Sequence, residues 1–452
     1  MKFMLIHPSF STDALYAQAP LGALYVAAMT ERDGHQVKVM DGTATRYSIE
    51  ENLAEVDSFM PDVVGISGHI NTILLANELG RAIKKKHPQI KIVMGGPHIT
   101  ALPLETMENE SVDYVVVGEA EYSFVDLLRY IESGKGNIED ISGLYYRQDG
   151  EVKFTKPPVR ITDLDSLPFP ARHLIPMENY IHRGYYVSFG FEGKHLNLIA
   201  SRGCPNNCFF CCKAMFGRKV TYRSVNNIVD EIEQETKKYD IPNFELSDYD
   251  FTIQPKMTYE FCNELKRRTL DLKWYCKMRV NNVTEDLLRT CRDAGMRRVS
   301  FGIESADENV LELMRKNIDL NKVEQVFKWT KKLGVISIAF FMVGNPGDTE
   351  ETVEKSLRFS DRLECDLPNF TIATPIPGTE LYDWADKHGW IGSFNYNRYV
   401  AGNKDRPVMR NEALDYDALQ RLFKKCTDHV YPRIQAAFQK YHGHNPSYIK
   451  RL

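Results

Sequence analysis

The 452-residue chain has no apolar run approaching the about 20 residues that span a bilayer, so no membrane segment is expected. It also lacks a charge excess. Its 57 Lys and Arg against 61 Asp and Glu leave a net charge of −4, which gives no electrostatic case for nucleic acid or an anionic membrane. The opening Met1-Lys2-Phe3-Met4-Leu5-Ile6 runs into His7-Pro8, too soon for a secretory signal. The phosphate-cradling patterns GxGxxG and GxxxxGK[ST] are missing, which argues against a nucleotide site in the first part of the chain. Cysteines are few and thinly spread outside 204–212, and six of the nine belong to no motif. Those six read as reduced core residues, and with nothing secretory in view a disulfide framework is not expected. The expected compartment is the cytoplasm.

What is present suits a globular protein of two large domains, or one with extensions: 43% of residues are hydrophobic and charges of both signs are mixed. Residues 1 to about 140 alternate strand-like runs with helical stretches. The strands are Phe3–Ile6, Val37–Met40, Val63–Ser67, Ile92–Gly95 and Tyr114–Gly118. The helices are expected near Leu21–Arg32, Ile49–Phe59, Leu74–Lys86, Leu104–Glu108 and Glu121–Ile131. Such alternation predicts parallel strands covered on both faces, a doubly wound, flavodoxin-like α/β sheet. Ligands of such sheets sit beyond the carboxyl ends of the strands. Those ends carry Ser67-Gly68-His69, Gly95-Gly96-Pro97-His98 and Gly118-Glu119, where the glycines either admit a ligand to the backbone or serve only as turns. The Lys84-Lys85-Lys86 run reads as a solvated helix end.

A connector is expected over 141–195. It begins with a small hairpin, Gly143–Arg147 and Val152–Phe154, and continues through Lys156-Pro157-Pro158 and Leu167-Pro168-Phe169-Pro170, where proline prevents regular helix. The Tyr-, Phe- and Gly-rich stretch 180–193 is expected either between the domains or along a cleft.

Residues 196–395 hold six further strand candidates: Leu196–Ser201, Phe244–Ser247, Trp274–Met278, Arg298–Ile303, Val335–Val343 and Asn369–Thr374. Amphipathic stretches separate them, which predicts six βα units and an open partial barrel with its chemistry at the strand ends. Residues 396–452 are expected as a carboxyl-terminal extension with a helix over Tyr416–Val430 and a basic, aromatic tail.

The first of these strand ends carries Cys204, Cys208 and Cys211 with CxxxCxxC spacing. Three thiolates on one short loop can hold three corners of an iron–sulfur cube and leave the fourth iron open. A structural zinc site would need a fourth ligand, and Cys212 is a poor one because it adjoins Cys211.

This motif resembles that of the radical S-adenosylmethionine (radical SAM) superfamily. The resemblance implies a [4Fe-4S] cluster whose open iron binds S-adenosylmethionine through its amino and carboxylate groups, and an adenosyl radical formed when an electron breaks a carbon–sulfur bond. Further contacts to S-adenosylmethionine are then expected at the strand ends. Asp248 and Ser247 would lie near the amino group, and Arg279 would offer a donor fork to the carboxylate or else pair with Asp286 or Glu285. Glu304 and Ser305 match the family's GIES segment, and Gly344 would admit the adenine to the backbone. Phe210, with Phe209, would flank adenine and shield the cluster, or simply fill core.

The segments Pro20–Ala28, Pro61–Ser67, Gly95–Thr100 and Asp113–Glu121 resemble the cobalamin-binding domain of cobalamin-dependent radical SAM enzymes. That likeness implies cobalamin contacts near Pro20, Gly22, Ser67, Gly95, Gly96, His98, Gly118 and Glu119. The DxHxxG signature for histidine ligation of cobalt does not occur, since Asp41-Gly42 is followed by Thr43. His7, His69 and His98 read as hydrogen-bonding loop residues ahead of cobalt ligands. The family resemblance implies methylation of an unactivated carbon of a small-molecule or natural-product substrate, with an external flavodoxin- or ferredoxin-type electron donor. Two alternatives stay open: a cobalamin-dependent rearrangement, cyclisation or ring contraction, and a non-catalytic cobalamin carrier or sensor.

Overall fold

The computed structural model describes residues 1–9, 18–182, 195–399 and 407–442. Nearly all of the aromatic stretch 180–193 and the basic tail beyond 442 lie outside the described residues. The chain divides into two compact units, Met1–Tyr180 with Cys212–Gly217, and Ile181–Cys211 with Arg218–Leu452. Among the described residues no helix is long and apolar enough to cross a membrane.

The first unit is built on strands β1 (Lys2–His7), β2 (Gln36–Asp41), β3 (Val63–Ser67), β4 (Lys91–Gly95), β5 (Tyr114–Val116), β6 (Leu144–Gln148) and β7 (Glu151–Phe154). Their order is β2-β1-β3-β4-β5-β6-β7. The first five run parallel. Phe3, Met4, Leu5 and Ile6 of β1, Val63, Val64 and Ile66 of β3, and Ile92, Val93 and Met94 of β4 are all buried. Continuous apolar runs of this kind arise because helices cover both faces. The covering helices include Leu21–Arg32, Ile49–Phe59, Ile73–Lys86 and Glu121–Ser133, close to the expected spans. Ile49–Phe59 starts on a capping box, in which Ser48 Oγ accepts from Glu51 N (3.1 Å) and Glu51 accepts from Ser48 N (2.8 Å). Because β1 lies between β2 and β3, the winding reverses there, and the carboxyl ends of β1 and β3 flank the crevice that ligands of such sheets occupy.

Three expectations need correction here. The short helix expected near Leu104–Glu108 is present as Pro103–Met107, but an unexpected one, Pro97–Ala101, precedes it, each opened by a proline, so His98 stands on a helix and not on a plain loop. The hairpin β6–β7 is not part of a connector but an antiparallel extension of the sheet, with Tyr114 opposite Tyr146. Strand β5 is only three residues long, and the hairpin satisfies an edge that would otherwise stay unpaired. The proline-rich segment then folds back onto the same unit. Ile161 N donates to the Glu119 carboxylate (3.0 Å), Ala171 N donates to Leu24 O (3.1 Å), and Arg172 is buried. The boundary expected near 140 therefore falls inside this unit, which continues to Tyr180.

The second unit contains β8 (His195–Leu198), β9 (Ser201–Arg202), β10 (Thr221–Tyr222), β11 (Asn243–Leu246), β12 (Lys273–Met278), β13 (Met296–Glu304), β14 (Ile336–Val343) and β15 (Leu367–Ile372). Six of them form a parallel sheet in the order β15-β14-β13-β12-β11-β8. Among the described residues β8 and β15 do not pair, so the six βα units form an unclosed barrel. The short β9–β10 ladder closes the base of the cysteine loop. The carboxyl-terminal helix runs over Tyr416–His442, twelve residues past its expected end at Val430, and packs on β14 and β15. It continues through Pro432, and Arg433 ties the following turn to the carbonyls of Ser360 (2.7 Å) and Cys365 (2.9 Å).

The apolar centre beneath β11 and β12 is aromatic. The fully buried Trp274 stacks on Phe244 at 6.0 Å, meets Phe251 and Phe261 edge-on, and donates its indole N–H to Ala294 O at 2.8 Å. Trp274→Ala should destabilise this unit by about 3–5 kcal/mol, measured as a shift of the chemical-denaturation midpoint; a change under about 1 kcal/mol would contradict this packing.

Candidate active site at the strand ends

The cysteine loop begins where β9 ends. Gly203 takes φ +93°, a conformation glycine adopts without strain, and turns the chain out of the strand immediately before Cys204. Cys204, Cys208 and Cys211 form no disulfide and are half-buried. Cys211 N donates to Cys208 O (3.2 Å), so the last two thiols share one turn. The loop is tied between them as well. Phe209 N donates to Met314 O (3.0 Å), and Leu381 N donates to Phe209 O (3.1 Å). Asn206 Nδ2 lies 3.4 Å from Cys204 Sγ and Arg279 3.5 Å from Cys208 Sγ, so both sulfurs face side-chain hydrogen-bond donors. No three His, Cys, Asp or Glu side chains among the described residues converge on the space of a single ion.

Asp248 anchors the foot of the loop. Its carboxylate accepts from Ala200 N (3.0 Å) and from the Ser201 hydroxyl, tying the end of β11 to the residues that lead into the cysteines. Burial pushes its carboxyl up, and the Ser201 and Ala200 donors pull it back. Each carboxylate oxygen thus accepts one hydrogen bond from the loop, at the strand end where an acceptor for the amino group of S-adenosylmethionine is expected. Its neighbour Ser247 is different. Ser247 N donates to Leu198 O (2.8 Å), while its Oγ is buried without a hydrogen-bond partner among the described residues. An orphaned hydroxyl at a strand end beside the cysteine loop fits a bound polar ligand.

Arg279 pairs with neither Asp286 nor Glu285. Asp286 accepts from Tyr259 (2.8 Å), and Glu285 pairs with Arg289 and Lys332. The Arg279 guanidinium instead reaches the carbonyls of Lys316 and Asn317, besides Cys208. Asp250 holds the start of this segment, accepting from Arg279 N (3.3 Å), Asn282 Nδ2 (3.0 Å) and Thr252 N (2.9 Å).

Glu304, at the end of β13, has φ +71°, a conformation that costs a non-glycine residue of order 1–3 kcal/mol. The register between β13 and β14 shifts at Gly302 and Glu304, and the Glu304 side chain folds back over Gly302. A Cβ at Gly302 would lie 2.2 Å from Glu304 Oε1, so a larger residue there would have to displace the Glu304 carboxylate. The carboxylate so placed pairs with Lys316 Nζ at 2.8 Å, and Nζ also stands 5.8 Å from the Phe210 ring centre. Lys316 was not expected from the sequence, since it follows the short helix Glu308–Leu313 with no periodic or motif signal. Arg315 and Asn317, on either side of it, both have positive φ.

The remaining expected residues sit behind these. Ser305 is buried, with its hydroxyl 3.4 Å from Ser356 Oγ and accepting from Asp307 N (3.1 Å), so it shapes the strand end. Gly344 has φ +92°, and a Cβ on it would fall 2.8 Å from Leu419, so its glycine is explained by helix packing. Phe209 and Phe210 pack on Ala373, Leu381, Ala385 and Met409 beside Trp384 and Trp390.

In the first unit, Pro20 caps the helix Leu21–Arg32, and Gly22 in its first turn is exposed, with nothing among the described residues within 4 Å of where a Cβ would be. The loops after β3, β4 and β5 are laced together: Gly68 N donates to Gly95 O (2.8 Å), His98 N to Gly68 O (3.2 Å), and Gly118 N to Thr100 Oγ1 (3.1 Å). Ser67 is half-buried at the end of β3. Gly96 has φ +112°, and a Cβ there would meet Gly68 O at 2.9 Å; one on Gly118 would meet Pro158 at 2.9 Å. Glu119 is occupied by Ile161 N. Burial lowers His98 to about 4 and His7 to about 3, and it raises Asp41 to about 6 against the pull of the Tyr180 hydroxyl.

Two family models match the chain in this order: the B12 binding domain over residues 12–128 and the radical SAM superfamily over 198–360. An uncharacterized methyltransferase of Pyrococcus horikoshii is 32% identical over 434 residues, 96% of this chain and 92% of its own. The chain belongs to the cobalamin-dependent radical SAM family. It is similar also to the anaerobic magnesium-protoporphyrin IX monomethyl ester cyclase of Rubrivivax gelatinosus, 28% identical over 92% of this chain and 74% of that protein. The solved radical SAM methyltransferase TsrM of Kitasatospora setae, with cobalamin and a [4Fe-4S] cluster bound, matches with a TM-score of 0.72, covering 93% of this chain and 85% of its own at 18% identity, a likeness of fold. The cofactors of this radical SAM enzyme are the [4Fe-4S] cluster, S-adenosylmethionine and cobalamin. The cysteine loop and the orphaned Ser247 hydroxyl fit the cluster and S-adenosylmethionine, and the glycine-lined carboxyl edge of the first sheet, at Gly95, Gly96 and Gly118, fits the close approach of a large ring.

Asp248→Asn keeps the volume but turns one acceptor into a donor against Ala200 N or Ser201. It should cost about 1–3 kcal/mol and lower the iron retained per chain after anaerobic reconstitution and desalting. Wild-type stability with wild-type iron would show that Asp248 does not hold the loop.

Proposed function

We propose that this enzyme methylates an unactivated carbon of a small molecule or natural-product intermediate. The reading rests on one observation: a methyltransferase relative is 32% identical along 96% of the chain and so spans both domains. When bound, the three cofactors supply a one-electron donor, a source of carbon radical and methyl, and a methyl carrier. The chain's own part is to hold and screen them. Cys204, Cys208 and Cys211 offer thiolates to three irons and leave one iron free of protein. The Glu304 carboxylate and the Lys316 ammonium, 2.8 Å apart, present opposite charges suited to the amine and carboxylate of an amino-acid moiety. Arg279 and the Ser247 hydroxyl add donors, and Phe210 with Phe209 and Trp384 excludes water on one side. Pro20, Gly22, Ser67, Gly95, Gly96, His98, Gly118 and Glu119 line or brace the strand ends over which the corrin would lie. A reduced flavodoxin- or ferredoxin-type protein in the cytoplasm would provide the electron.

The cyclase of Rubrivivax gelatinosus, 28% identical along 92% of the chain, favours a second reading, radical cyclisation or rearrangement without net methyl transfer. Reduced, reconstituted enzyme given S-adenosylmethionine with a deuterated methyl group separates the two. The methylation reading expects a product carrying the labelled methyl. An unlabelled product with an altered skeleton would overturn it in favour of the second, and a triad-intact protein that never cleaves S-adenosylmethionine would reduce the chain to a cobalamin carrier. Cys208→Ala should abolish that cleavage.

A further inference from the structure

Three imidazoles gather at the carboxyl edge of the first sheet. His7 ends β1, His69 lies two residues past β3, and His98 stands in the first turn after β4. β1 and β3 are adjacent, and the crevice of the fold opens between their ends. The His7 and His69 rings meet edge to face, 5.5 Å between centres and 83° between planes. The three residues are not equally exposed: His7 and His98 are 3% and 4% exposed, whereas His69 is only half-buried.

The backbone of His69 is held on both sides by one residue. Its N–H donates to Thr72 Oγ1 (3.0 Å), and its carbonyl accepts from Thr72 N (3.0 Å) and from Thr72 Oγ1 (3.3 Å), at the entry to the helix Ile73–Lys86. The main chain is thus pinned, and among the described residues the ring itself makes no hydrogen bond. An imidazole nitrogen with no partner in the protein keeps the lone pair that metals bind. A ring on a pinned main chain at the switch point, backed by a second ring, is the arrangement a metal held over this edge would use.

We propose that His69 is the protein's axial ligand to the cobalt of cobalamin bound over the carboxyl edge of the first sheet. The DxHxxG pattern is absent, so the ligand comes from a different loop, the one after β3. This inference rests on the cobalamin reading above and adds to it the identity of the cobalt ligand.

The test uses the full-length protein loaded with cobalamin, reduced to the cobalt(II) state and examined by electron paramagnetic resonance. Protein grown with histidine labelled by ¹⁵N in the ring is compared with unlabelled protein. Ligation by His69 predicts nitrogen superhyperfine triplets in the unlabelled protein that become doublets on labelling. It also predicts loss of that splitting in His69→Ala, with cobalamin still bound in gel filtration, while His98→Ala keeps it. The labelled wild-type spectrum does not depend on any variant folding, and His69→Gln serves if the alanine variant does not fold. A spectrum indifferent to histidine labelling, or a labelled splitting that survives at His69→Ala, overturns the inference and leaves the cobalamin reading intact. A chain that retains no cobalamin overturns both.

Discussion

A loop that must present three sulfurs to one inorganic cube tolerates little motion, and in this chain the constraint is set by the buried carboxylate of Asp248. It spans the gap between β11 and the residues leading out of β8, accepting from Ala200 N and the Ser201 hydroxyl. Burying that carboxylate is costly unless its oxygens are engaged, and the loop's own donors engage them. The same bonds that compensate the charge therefore fix where Cys204 begins. The second anchor, Phe209 between Met314 and Leu381, ties the middle of the loop to the ends of other strand–helix units.

The site beside the loop depends on strain of a different kind. Glu304 adopts a left-handed backbone at a shifted register, and Gly302 leaves the room its side chain needs. This strain persists because the salt bridge to Lys316 and the packing of β13 between β12 and β14 over-determine it. In the first unit, hydrogen bonds lace the loops after β3, β4 and β5. In both units most of the candidate site residues lie at or just beyond the carboxyl ends of the strands, where ligands of such sheets are met.

Much of this was legible in the sequence for definite reasons. Parallel strands buried on both faces leave long apolar runs, so all eleven expected strands appear within a few residues of their observed bounds. The cysteine spacing is legible because cluster chemistry dictates it. The edge hairpin was readable as a hairpin but not as part of the sheet, since pairing to β5 is a long-range choice. The last helix runs past its expected end at Val430 and through Pro432, where Arg433 holds the following turn by tertiary bonds. Lys316 and Asp250 went unseen because each acts through partners distant in sequence, Glu304 and Asn282. Asp248 was seen as a polar group at the right place, but only the fold reveals that its partner is the loop.

The central claim is that three thiolates grip a four-iron cube and leave one iron for a small ligand. Mössbauer spectroscopy of protein reconstituted anaerobically with ⁵⁷Fe tests it most directly, recorded before and after S-adenosylmethionine is added. The account predicts a four-iron cluster in which a single iron changes its isomer shift when S-adenosylmethionine binds. Four irons that all ignore S-adenosylmethionine, or iron that never assembles beyond isolated ions, would contradict it.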